Sequence, residues 1–97
     1  MEADIGHIVI SLAGRDKERL FYVLKTEENF VYLADGSLRK LETPKRKKRK
    51  HIRVISDFDS RVSAKLRHGE KVLNSEIRKA LSDYSKAQQA QGGNLLG

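Results

Sequence analysis

Ile5-Gly6-His7-Ile8-Val9-Ile10-Ser11-Leu12-Ala13-Gly14-Arg15-Asp16-Lys17-Glu18-Arg19-Leu20-Phe21-Tyr22-Val23-Leu24-Lys25 is the stretch on which the fold turns. Ile5 to Leu12 is apolar at Ile5, Ile8, Val9, Ile10 and Leu12, β-branched for the most part, and too short and too Gly-bounded for a helix. It predicts a strand whose near-continuous apolar character calls for cover on both faces, as when a helix packs outside a small barrel. Ala13 to Glu18 is turn chemistry, with Gly14 free to adopt a positive φ. Arg19 to Lys25 is a second strand.

Downstream, Thr26 to Asn29 turns the chain, Phe30 to Ala34 reads as a third strand, and Asp35-Gly36 is a hairpin signal. Leu38 to Leu41 is the expected fourth strand. In the fifth, from His51 to Ile55, Ile52 and Val54 share one face and His51 and Arg53 the other. Five short strands with short connections point to a small antiparallel barrel, which leaves few exposed edges.

Beyond Ser56 the period changes. Ser60 to His68 fits a short helix with Val62, Leu66 and Ala64 buried and Gly69 as its stop. Asn74 or Ser75 is the expected cap of a second helix, with Glu76 in its first turn and Ile77, Leu81 and Tyr84 as an apolar stripe that packs on the barrel. Ala87 to Gly97 offers little that would order it. The expected organisation is therefore a barrel over 1–58, a helical extension over 59–86 and an unstructured tail over 87–97.

Between the fourth and fifth strands lies Lys45-Arg46-Lys47-Lys48-Arg49-Lys50, preceded by Pro44. The 97-residue chain has a formal net charge of +7, and this run alone supplies six positive charges. Such a block is read as a solvated loop anchored at both ends, where an anionic partner neutralises it. Basic runs also serve as disordered tails, nuclear addresses or solubility devices, but this one is internal. A polyanion is the expected partner, nucleic acid ahead of anionic membrane.

The same composition narrows the chemistry. Zero cysteines exclude disulfides, thiolate zinc sites and cysteine nucleophiles. His7, His51 and His68 lie far apart without metal-ligand spacing, and no Gly-rich phosphate cradle occurs. The expectation is a non-enzymatic protein with no cofactor, no metal and no small-molecule substrate. The acidic start and the lack of a long apolar run fit neither a signal peptide nor a membrane span, so a cytoplasmic protein is expected.

Gly6 to Arg19, followed by Phe21-Tyr22-Val23-Leu24, resembles the KOW motif of ribosomal proteins and transcription elongation factors, closest to the fourteen-e family of large-subunit ribosomal proteins. The resemblance rests on Gly6, the Gly14-Arg15 pair, the later basic run and Lys50-His51-Ile52, and covers about residues 4 to 55. Many KOW sequences carry a second Gly directly after the turn's Lys; here that position is Glu18. The resemblance implies an SH3-like barrel and an RNA-binding module associated with the ribosome, with ribosomal RNA as partner and ribosomal proteins beside it.

The candidate RNA contacts are Lys45, Arg46, Lys47, Lys48, Arg49 and Lys50, then His51 and Arg53, then Arg15, Lys17 and Arg19. About six phosphate contacts would give a slope of log K against log salt of roughly −4 to −5. Charge alone equally allows a solvated turn in which Asp16 and Glu18 pair with neighbouring bases. Tyr22 and Phe30 are expected inside the small core, with Tyr32 placed either way. The alternative function is a protein-interaction adaptor of the translation or transcription machinery presenting the Ile77, Leu81 and Tyr84 stripe; a peripheral membrane protein held by the basic run ranks last.

Overall fold

The computed structural model describes residues 2–96 apart from Phe58 and Asp59, with side chains described to Gln89. Five antiparallel strands form one sheet: β1 (Ile8–Ser11), β2 (Leu20–Thr26), β3 (Phe30–Ala34), β4 (Lys45–Lys48) and β5 (Ile52–Ser56). Helices α1 (Arg61–Arg67) and α2 (Asn74–Leu96) follow. The hydrogen-bonded order is β4-β3-β2-β1-β5, so β4 and β5 are its two edges. Four spacings of about 4.8 Å would set the edges of a flat sheet about 19 Å apart. Yet β4 passes to β5 through a one-turn 3-10 helix at Arg49–His51, which rises only about 2 Å per residue. The sheet is therefore strongly curled. Irregular register between Val23 and Lys25 in β2, and between Ile8 and Val9 in β1, adds to that bend.

Both faces of the central strands are covered, as their apolar runs require. Val9, Phe21, Val23, Val31 and Leu33 fill the inside of the curl with Ala3, and Ile52 and Val54 pack against them. The alternate residues Ile8 and Tyr22 face outward and form a second core with Val62, Ile77 and Leu81, flanked by Leu66 and Tyr84. Tyr84 also donates its hydroxyl to the carbonyl of Ile55 at 3.3 Å. The α2 stripe is thus spent within the fold.

Three expectations are corrected. Leu38 to Leu41 is not a strand: the buried Asp35 carboxylate accepts the amides of Ser37 and Arg39 at 2.9 and 2.8 Å and folds the segment into a loop. Leu38 is left 68% exposed. Strand four is instead the basic run itself, Lys45–Lys48, paired along β3. Asn74 does not cap its own helix. Its side chain accepts the Leu41 amide at 2.8 Å and donates to Glu42, while Glu76 takes the Leu73 amide at 3.0 Å and serves the helix start. Helix α1 does follow its reading, opened by Ser60 and Ser63 in a reciprocal capping box. Helix α2 runs to Leu96, where a tail was expected from Ala87; side chains from residue 90 on lie outside the described ones.

Gly36 fixes where α2 lands. It sits at φ +77°, and a Cβ there would collide with the carbonyl oxygen of Asn74 and lie 3.1 Å from the Arg78 amide nitrogen. Arg78 also donates to the Gly36 carbonyl at 2.6 Å. Gly36→Ala is expected to cost at least about 2 kcal/mol in urea unfolding, combining left-handed backbone strain with overpacking against helix backbone.

Candidate nucleic-acid interface

In β4 the side chains alternate. Lys45 and Lys47 share the face of Leu33 and Val31, whereas Arg46 and Lys48 share that of Tyr32 and Phe30. Lys47 is buried, 8% exposed, with its stem among apolar neighbours and its ammonium at the core's polar end. There Nζ donates to Asp16 Oδ1 at 2.6 Å and to the Ala13 carbonyl at 2.7 Å. Ser11, fully buried, donates its hydroxyl to the same Asp16 oxygen at 2.8 Å. Asp16 therefore pairs not with its turn neighbours but with a lysine 31 positions away. Burial pushes its carboxyl up, but the Lys47 and Ser11 hydrogen bonds and the Lys47 charge outweigh this and hold it below the usual carboxylate range.

This pair brings the two basic segments together. Asp16 belongs to the turn after β1, in which the Lys17 amide bonds the Gly14 carbonyl at 3.2 Å and the Glu18 amide bonds the Ser11 carbonyl at 2.7 Å. Ser11 in turn donates its amide to the Arg19 carbonyl at 3.0 Å, so one residue of β1 faces two, a bulge whose first residue wants a left-handed backbone. That residue is Glu18, at φ 71°. Glu18→Gly is expected to raise stability by about 0.5–1 kcal/mol in urea unfolding, because glycine removes the positive-φ penalty.

The 3-10 turn is locked from both sides. Its Arg49 donates Nε to the Glu27 carbonyl at 3.0 Å and Nη1 to the Ala3 carbonyl at 2.8 Å, while the His51 carbonyl accepts the Leu12 amide at 2.8 Å. Two open grooves flank it. One, about 450 Å³, is lined by Asn29, Phe30, Lys48, Arg49 and Lys50; the other, about 420 Å³, by residues including Lys50, Ile52 and Arg53.

The expected contacts thus divide. Lys47 and Arg49 are engaged inside the fold, and Arg19 reaches Asp35 at 3.3 Å. Arg46 pairs with Glu27 at 3.1 Å and lies over the Phe30 ring, 3.5 Å from its centroid. Lys48, Lys50, Arg15, Lys17 and Arg53 are exposed, Lys45 and His51 half-exposed. Tyr22 is buried as expected; Phe30, expected inside, is half-exposed beneath Arg46, and Tyr32 is half-exposed with Lys25 at 5.2 Å from its ring centroid. Lys25 was missed from the sequence; strict alternation from Phe21 and Val23 would turn it inward, and the register irregularity between Val23 and Lys25 is what sets it opposite Tyr32. Among the described residues no cluster of three or more His, Asp or Glu could hold a metal ion, and no helix is long and apolar enough to cross a membrane. Compared with known proteins, the chain matches no family model and no curated sequence.

Proposed function

We propose that this protein is a non-enzymatic RNA-binding module of the cytoplasm that attaches to ribosomal RNA or to the ribosome. The observation that carries the reading is the Lys47–Asp16 pair, which fixes the Gly14 turn, with exposed Arg15 and Lys17, against the basic strand β4; Lys45 and Lys48 of that strand, and Lys50 and Arg53 just after it, are likewise exposed or half-exposed. These six cations meet phosphates; the roles expected of Lys47 and Arg49 become structural. Such contacts neutralise the backbone and set orientation without reading sequence. The KOW resemblance directs the choice of RNA, and the left-handed backbone at Glu18 accords with it. The adaptor reading loses its stripe, since Ile77 and Leu81 are buried in the second core.

Cosedimentation with large ribosomal subunits across a salt series tests this. The expected result is binding at low salt with a slope of log K against log salt of about −4 to −5. A folded protein that stays in the supernatant at low salt would refute it.

A further inference from the structure

The outer face of β3 and β4 carries more than charge. Lys25, Tyr32 and Arg46 form a row across three strands, with Phe30 and Lys48 as the next pair along. The helices cover this face of the sheet at Tyr22 and leave it open at Phe30 and Tyr32. The Arg46 guanidinium lies 3.5 Å from the Phe30 ring centroid. Glu27 holds it there, accepting from Arg46 Nε through one carboxylate oxygen at 3.1 Å and from the Tyr32 hydroxyl through the other at 3.3 Å. The Arg46 side chain nonetheless remains 50% exposed. A planar cation is thus immobilised on an aromatic ring, with its ordering entropy already spent and its outer plane free. Cations needed for the phosphates on either side stand at Lys48 and Lys25, and the groove beside Phe30 runs on to Lys50.

We infer that this face takes an unpaired nucleotide of the RNA, its base stacking on the outer plane of Arg46 and its flanking phosphates meeting Lys48 and Lys25. Arginine planes and aromatic rings are the usual platforms for splayed-out bases, and they tolerate any base because each has a π-face. The inference rests on the RNA-binding reading and deepens it: the site selects a bulge or single strand over continuous duplex.

Two RNA hairpins differing only by one bulged 2-aminopurine separate the outcomes. The wild-type protein is expected to bind the bulged hairpin about tenfold more tightly than the fully paired one, with quenching of the 2-aminopurine fluorescence. Arg46→Lys keeps the charge and removes the plane. It is expected to bind the paired hairpin as the wild type does while losing both the preference and the quenching; Phe30→Leu, which removes the ring beneath, should behave alike. Equal wild-type affinity for the two hairpins, or an Arg46→Lys protein that keeps its preference, overturns the inference while leaving RNA binding intact. Binding to neither hairpin overturns both.

Discussion

Asp16→Ala is expected to destabilise the domain by about 3–5 kcal/mol, the cost of leaving one buried partner of an ion pair without the other. For a 97-residue chain, whose whole stability is on the order of 5–15 kcal/mol, that is a large share. Lys47 cannot swing into water without dragging β4 from β3, and the Ala13 carbonyl and Ser11 hydroxyl that share its pocket would be left to solvate an ammonium alone. Urea unfolding measures the loss. Asp16→Ala combined with Lys47→Met, which replaces the pair by an apolar stem of similar length, should recover most of it. A cost below about 1 kcal/mol for the single variant would show that the pair is solvated. The pair also sets an acid limit. Because the Asp16 carboxyl is held below its unfolded value, its contribution is fully present above the ordinary carboxylate range and fades as pH falls through the depressed folded value. Asp16→Asn should flatten that part of the acid-unfolding profile.

The second large effect concerns binding. Changing Lys45, Lys48 and Lys50 together to Gln is expected to reduce the slope of log K against log salt by about 2–3 and to weaken RNA binding roughly 100-fold near 0.1 M salt, as three released counterions imply. These three side chains have no ion-pair partner among the described residues, so the fold should be unchanged, and unfolding curves provide the control. An edge strand rich in lysine also discourages edge-to-edge pairing. Stronger self-association of the variant, with RNA affinity unaltered, would assign the lysines to that protective role alone.

The strands that were legible are those with dense runs of β-branched and aromatic apolar residues, Ile8 to Ser11, Leu20 to Thr26 and Phe30 to Ala34, and the fifth, where Ile52 and Val54 alternate onto the inner face. The helical stripe of Ile77, Leu81 and Tyr84 was legible by its helical spacing. The fourth strand was not. Hydropathy scores Lys45 to Lys48 as solvated loop, because nothing local says that one lysine in the run will turn inward. Its reason lies at Asp16, brought near only when the sheet curls. Asp16 in turn looked like a surface charge beside Arg15 and Lys17. At Leu38 to Leu41 the apolar ends suggested a strand, but the Asp35 side chain supplied backbone hydrogen bonds that a ladder would otherwise have made. Among the candidate contacts, positive charge is a property of the segment that the sequence shows directly; which cations are engaged inside the fold depended on distant partners. Phe30 was placed inside on size alone, and its exposure follows from helices that stop short of it.

Lysine footprinting of the protein alone and mixed with large-subunit ribosomal RNA tests the proposed RNA-binding surface most directly. Lys17, Lys45, Lys48 and Lys50 are predicted to acetylate readily in the free protein and to become protected on binding. Lys47 should react slowly in both states, and Lys71, Lys79 and Lys86, exposed on the helical side, should be unaffected. Protection confined to the helical lysines, or spread evenly over all of them, would contradict the assignment of RNA to the margin formed by β4 and the Gly14 turn.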